Sequence, residues 1–214
     1  MEPRKRAVWG WESLGTGLIV LMVLISNQVI EPNDFNWMPP VAVGLAMLIT
    51  FDKSGAHLNP LATGLVKIFS KHSLKRSGFY VLSEISGMAI ALGIAVTGGL
   101  AISRNLPALD LSSAVQIVVY EIIASTLLLS LISTFIIIHR AKLLIILVPI
   151  LISVFWFTPL QASQMNPVVT LGLLLAANMD LPNALVHWCG QAIAMAIMFA
   201  AGGKMRQWHH SNYS

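Results

Sequence analysis

Six long apolar stretches, separated by short clusters of turn-forming and charged residues, run through the chain. Their limits predict helices over 9–30, 37–51, 79–100, 112–138, 142–157 and 182–203. A helix needs roughly 20 apolar residues to cross a hydrocarbon core about 30 Å thick. The pattern therefore predicts an all-α membrane protein with six transmembrane helices.

Two further apolar runs are too short to cross a membrane. They begin at Asn59 and Asn166 and extend for about 11 to 12 residues, which is about 17 Å of helix. Asn is a preferred N-cap and Pro is favoured at the first helical position, so Asn59-Pro60 and Asn166-Pro167 each predict the start of a re-entrant half-helix. Non-helical backbone in lipid is tolerated only where it is buried or lines a wet cavity. The two short runs therefore imply an aqueous path.

The two halves of the chain share a pattern. The matched residues are Glu12 and Glu121, Asn59 and Asn166, and Glu84 and Gln191. A carboxylate precedes the Asn by 47 residues in the first half and by 45 in the second, and the third residue follows by 25 in both. Each half contains three full crossings, so the second must run in the opposite direction. We predict one channel domain over 1–214, built from inverted repeats of about 1–108 and 109–208.

Composition and charge agree with a membrane location. Hydrophobic residues make up 56% of the chain and charged residues 10%, against about 25% charged in soluble domains. With a cytoplasmic N-terminus, all Lys and Arg residues except Arg104 fall on the inner side, which predicts a plasma-membrane protein with both termini in the cytoplasm. This bias accounts for the net charge of +4, so no nucleic-acid partner is expected. The N-terminal apolar run contains Glu12 and lacks a cleavage site, so we expect a retained helix.

The sequence contains no pattern typical of a disulfide-linked protein, a metal or cofactor site, or an enzyme. The single Cys189 has no partner for a disulfide, and no spacing indicates a metal site or a bound cofactor. No nucleophile, base and orienting group converge, so no enzymatic activity is expected.

The two Asn-Pro pairs predict a binding chemistry for the path. Each Asn oxygen can cap its own helix, which leaves the amide NH₂ free to donate to a small solute. The two helix N-termini carry about half a positive charge each, which costs a cation at 4 Å roughly 2 kcal/mol per end at an effective dielectric of about 20. A passive path for small uncharged solutes is therefore predicted.

Three motifs resemble those of the aquaporin and glycerol-facilitator superfamily. "SGAHLNPLATG" (54–64) is similar to the first family box, SGAHLNPAVT, "MNPVVTLG" (165–172) is similar to the second, MNPARSFG, and "ESLGTGL" (12–18) is similar to the first-helix motif. The resemblance implies six tilted helices with two re-entrant half-helices, one pore per subunit and a homotetramer. It also implies glycerol, other polyols, urea or water as permeants. The implied pore boxes are Asn59, Pro60, Leu61 and Asn166, Pro167, Val168.

The chain departs from the family at the boxes and the selectivity filter. Leu61 and Val168 replace alanines that are small where the half-helices abut, so they are expected to shift the Asn donors or narrow the path. Val169 replaces the filter arginine, which removes roughly 2 kcal/mol of cation repulsion and leaves about 4 kcal/mol from the two helix ends. The other implied filter positions are Ser163, Val154 and either Val41 or Pro39. Such a filter is aliphatic and wide enough for solutes larger than water.

Other polar residues receive roles by the same comparison. Glu12 and Glu121 are expected to accept hydrogen bonds from the loops that lead into the half-helices. His57 is expected to line the cytoplasmic side of the path. Glu84 is either bonded within the bundle or a protonatable gate.

Two alternatives to a selective channel remain open. The first is a non-conducting scaffold or adhesion protein that has kept the fold. The second is a leaky, ion-permeable variant, which the absence of the arginine allows, although neither half-helix junction carries an acidic ring that attracts cations.

Overall fold

A computed structural model describes residues 3–29, 36–69, 73–100, 110–156 and 163–213, and these ranges contain helices and no β-strand. The helices are α1 (Pro3–Val29), α2 (Met38–Ser54), α3 (Pro60–Phe69), α4 (Leu74–Thr97), α5 (Leu111–Ile137), α6 (Leu144–Trp156), α7 (Pro167–Leu175) and α8 (Leu181–Tyr213). The predicted all-α class is confirmed. The predicted starts of α3 and α7 at the two prolines are also confirmed.

Four of the described helices are long and apolar enough to cross a membrane. They are formed by Ala7–Val29, Leu74–Thr97, Leu111–Ile137 and Leu181–Gly202. The other two predicted spans are shorter: α2 has 17 residues and α6 has 13, after a 3-10 turn at Ala141–Leu143. The structure is thus that of a helical membrane protein, and the count of six crossings stays a prediction. The predicted outer residue Arg104 lies outside the described residues.

The helices occur in the same order in both halves of the chain. A long helix is followed by an intermediate one, a short one and another long one, in α1 to α4 and again in α5 to α8. The most extensive contacts within the halves also match, because α1 packs on α4 and α5 packs on α8. The short helices are enclosed: α3 contacts α4, α5 and α8, while α7 contacts α1, α4 and α8.

Polar side chains fix several helix starts. The Asp110 carboxylate accepts from Ser113 N–H at 2.6 Å and from Ser112 Oγ at 2.9 Å at the start of α5. The hydrogen bond from the Ser113 backbone, helped by Ser112, holds the pKa of Asp110 below its usual value. Asn166 caps α7 through Val168 N–H, in the way that the Asn-Pro pattern predicts.

Candidate functional site

The N-terminal ends of α3 and α7 meet through the two predicted asparagines. Asn59 Nδ2 donates to Met165 O at 2.7 Å, and Asn166 Nδ2 donates to Leu58 O at 2.9 Å. The side-chain oxygens accept from the first turns of their own helices, at 2.9 Å for Asn59 with Leu61 N–H and 3.1 Å for Asn166. Each asparagine therefore caps one half-helix and is bonded to the loop before the other.

The residue before each asparagine has a left-handed backbone. The φ angle is +52° at Leu58 and +50° at Met165. This conformation costs an L-residue roughly 1–2 kcal/mol. The cost is offset locally because the carbonyls of these two residues accept from the opposite asparagine and their N–H groups donate to buried carboxylates.

The first of those carboxylates is Glu12, on α1. Its Oε1 accepts from His57 N–H at 3.1 Å and its Oε2 from Leu58 N–H at 2.7 Å. Glu12 is fully buried, and the two bonds satisfy backbone donors that would otherwise lie unpaired next to the half-helix. The predicted hydrogen bonding of Glu12 is confirmed.

The second carboxylate, Glu121 on α5, has the same role and additional partners. It accepts from the backbone N–H groups of Gln164 and Met165, which confirms its predicted bonding. Four side chains also contact it: His187 Nδ1 at 2.7 Å, Ser163 Oγ at 3.1 Å, Gln191 Nε2 at 3.2 Å and Ser125 Oγ at 3.3 Å. His187 was not predicted from the sequence. Its position four residues before Gln191, on the same face of α8, was the available signal.

A cavity of about 140 Å³ adjoins the paired asparagines. Its apolar walls are stripes in which every fourth residue faces inward, as expected for one face of a helix. The stripes are Pro39, Val43, Met47 and Phe51 on α2, Leu128, Ile132 and Ile136 on α5, and Leu144, Val148 and Ile152 on α6. The α2 stripe alone runs for about 18 Å along its helix. Among the described lining residues, the polar side chains are His57, Asn59, Gln164 and Asn166.

The structure corrects the implied filter positions. Val169 lines the cavity, but Val41 and Val154 lie on the outer surface with 43% and 60% of their areas exposed. Of the two alternatives on α2, Pro39 lines the cavity and Val41 does not. On α6, Ile152 lines the cavity, so the expectation that Val154 faces the path is wrong. A shift of two residues along a helix rotates a side chain by about 200°, to the opposite face.

Ser163, Leu61 and Val168 are buried away from the cavity lining. Ser163 donates to Glu121 instead of facing the path. Leu61 packs with Leu65 and Leu129, and Val168 lies in the main apolar core. The larger side chains that replace the box alanines are thus accommodated by packing, and both asparagines keep their bonds across the junction.

His57 lines the cavity and connects it to Glu84 on α4. His57 Nδ1 lies 3.0 Å from Thr63 Oγ1, and that hydroxyl donates to Glu84 Oε1 at 2.9 Å. The His57 ring also stacks on Tyr80, with 4.0 Å between ring centroids. The bond from Thr63 places Glu84 within the bundle, and the gating hypothesis remains a prediction.

Comparison of the chain with protein-family models and with curated proteins gives no match. Within the part of the chain that the structure describes, no three His, Cys, Asp or Glu residues are arranged to hold a metal ion. The candidate site is therefore defined by its geometry: two bridged asparagines, two buried carboxylates that hold the loops, and a mostly apolar cavity.

Proposed function

We propose that the chain is a passive transmembrane channel for small uncharged solutes, with an arrangement like that of aquaporins and glycerol facilitators. The observation that carries the proposal is the pair of half-helices capped by Asn59 and Asn166, which bond across their junction beside the cavity. Each asparagine amide donates one N–H to a backbone carbonyl of the opposite loop and has a second N–H that can donate to a solute.

The proposed membrane arrangement has six crossings and two half-helices in an inverted repeat. Helix α2 is about 25 Å long by its 17 residues, which is sufficient for a crossing when flanking residues reach the interface. The matching helix order of the halves and the head-to-head contact of α3 and α7 support entry of the half-helices from opposite sides. Apolar residues on the outer faces of α2 and α6, such as Val41 and Val154, suit contact with lipid or with other subunits of the implied homotetramer.

Electrostatics favour neutral solutes over cations. The N-termini of α3 and α7 converge, and each costs a nearby cation roughly 2 kcal/mol. None of the described cavity-lining residues is an Asp or a Glu that would attract cations. This arrangement supports a solute channel more than the ion-permeable alternative.

The walls of the cavity suit solutes that have both apolar and polar faces. Apolar stripes of α2, α5 and α6 and the polar side chains of His57, Asn59, Asn166 and Gln164 line the same cavity. A small polyol can place its carbon atoms against the apolar side chains and its hydroxyl groups on the polar ones. We therefore propose glycerol-sized polyols, with urea and water, as the permeant class.

The direct test is stopped-flow light scattering of liposomes that contain the purified protein. We expect shrinkage and re-swelling in glycerol to be several-fold faster than in empty vesicles, because a channel removes the cost of moving a polar solute through hydrocarbon. Rates for water, glycerol and urea that equal those of empty vesicles would instead favour the scaffold or adhesion alternative. Planar-bilayer recordings should show no cation current comparable with the solute flux.

A second prediction concerns Val169, the cavity-lining residue where the family has arginine. The Val169→Arg variant is expected to reduce glycerol flux more than water flux, because a long charged side chain narrows the path and holds hydration water. Any residual cation leak should fall by about an order of magnitude or more, in line with roughly 2 kcal/mol of added repulsion. Val169→Leu controls for size alone. Equal reductions of glycerol and water flux by the arginine would show that Val169 does not face the constriction.

A further inference from the structure

The repeat matches four polar residues of one half with four of the other. The pairs are Glu12 with Glu121, His57 with Gln164, Thr63 with Thr170, and Glu84 with Gln191. In three of the pairs the members occupy the same place relative to their asparagine: two residues before it for His57 and Gln164, four after it for the threonines, and 25 after it for Glu84 and Gln191. The two carboxylates Glu12 and Glu121 differ by two residues in this offset. The backbones agree as well, since the N–H groups of His57 and Gln164 both donate to the buried carboxylate of their own half.

The side chains of His57 and Gln164 differ in their hydrogen bonding. In the first half, His57 is tied to Thr63 through Nδ1. In the second half, Thr170 Oγ1 donates to Asn166 O at 3.2 Å and accepts from Gln191 Nε2 at 3.3 Å. Thr170 is thus already engaged within the protein. The Gln164 side chain is left at the cavity wall, where the first half has a bonded histidine.

Gln164 is 8% exposed, and its Oε1 is buried with no hydrogen-bond partner among the described residues. A buried amide oxygen without a partner is unfavourable, and such groups in native proteins call for a ligand, an ion or a water. The oxygens of the asparagines differ because both already accept from their own half-helices. Gln164 lines the cavity with an oxygen that accepts from none of the described residues, so a rotation of its side chain can offer an unused acceptor to a solute.

We infer that the Gln164 side chain is a third solute-binding amide of the path and sets its selectivity between polyols and water. This inference rests on the proposed channel function. A polyol that fills the cross-section excludes neighbouring water, so a hydroxyl group that loses Gln164 as its acceptor cannot replace it with a water molecule. A water molecule in a single file keeps hydrogen bonds to the neighbouring water molecules. Removal of the amide therefore raises the barrier to permeation more for a polyol or urea than for water.

The test compares Gln164→Met with wild type in liposomes, using glycerol, urea and water as probes. Methionine keeps the length and flexibility of the side chain and removes its hydrogen bonds. We expect glycerol and urea permeability to fall by about 3- to 10-fold, the effect of one lost hydrogen bond, while water permeability changes by less than about twofold. Gln164→Asn, which retains an amide, should preserve part of the glycerol flux. Gln116→Met makes the same chemical change at an exposed position on α5 and should alter neither flux.

The outcomes separate the inference from the proposed function. Wild-type vesicles that conduct no probe would overturn the channel itself. Wild-type conduction with unchanged glycerol-to-water selectivity in Gln164→Met would overturn only the role of Gln164. An equal fall for all probes in Gln164→Met, without rescue by asparagine, would also overturn it, because that result indicates a structural residue.

Discussion

Replacement of Glu121 by leucine is expected to lower the free energy of unfolding by about 4 kcal/mol or more. The carboxylate is fully buried and accepts from two backbone N–H groups and four side chains. An unsatisfied buried donor costs about 1–3 kcal/mol, so the two backbone groups alone account for about 2–6 kcal/mol. Thermal or denaturant unfolding of the detergent-solubilised protein, followed by circular dichroism, measures the effect.

Two comparisons isolate the cause of this loss. Gln116→Leu changes an exposed polar residue on the same helix and should leave the stability within about 0.5 kcal/mol of wild type. Glu12→Leu should be less damaging than Glu121→Leu, since Glu12 accepts from the two backbone groups without the additional ring and amide donors. A Glu121→Leu protein as stable as the Gln116 control would refute the view that this carboxylate holds the second half-helix in place.

The second large effect is expected at Gly87, where α4 crosses α1. A Cβ atom at this position would overlap the carbonyl oxygen of Ser13 and lie 2.9 Å from Gly17 N. Both obstacles are backbone atoms, so relief requires the helices to separate. Small residues let membrane helices approach in this way. Gly87→Ala should therefore destabilise the protein at the upper end of the range of about 1–3 kcal/mol that overpacking costs. It should also weaken the buried bond from Ser13 Oγ to Ser83 O.

Gly93 provides the matched control on the same helix. A Cβ atom there meets nothing within 4 Å. Gly93→Ala should be neutral or stabilising by about 0.5–1 kcal/mol, because alanine loses less backbone freedom on folding. Unfolding midpoints of the two variants, measured side by side, give the comparison. Equal midpoints would mean that the α1–α4 contact does not depend on the missing Cβ at Gly87.

Local patterns predicted the elements of the candidate site well. Each Asn-Pro pair starts a helix, because capping and the fixed φ of proline are properties of adjacent residues. The helix limits also lie within a few residues of the predicted ones at most ends, while α1 and α8 extend further into the polar termini.

The identities of the cavity-lining residues were harder to predict. On α2 the motif alignment left Val41 and Pro39 open, and it is Pro39 that lines the cavity while Val41 is exposed. On α6 the alignment gave Val154, which is exposed, whereas Ile152 lines the cavity. Which of two apolar residues on one helix faces the cavity depends on the rotation of that helix against its neighbours. An apolar run without strong periodicity does not encode that rotation. His187 and Gln164 were not predicted for a related reason. The bond of His187 to Glu121 and the position of Gln164 at the cavity both depend on residues far away in the chain.

The amino-acid sequence by itself determined that this is an all-helical membrane protein whose halves share a pattern, with two short helices that start at Asn59-Pro60 and Asn166-Pro167. Helix length, capping and hydropathy follow from residues close together in the chain. Only the tertiary structure decided that the two asparagines bond across one junction, that Val169 and Gln164 face a common cavity, and that Glu121 collects donors from three segments. These features join residues 40 to more than 100 positions apart, and packing of the helices, rather than local preference, brings them into contact.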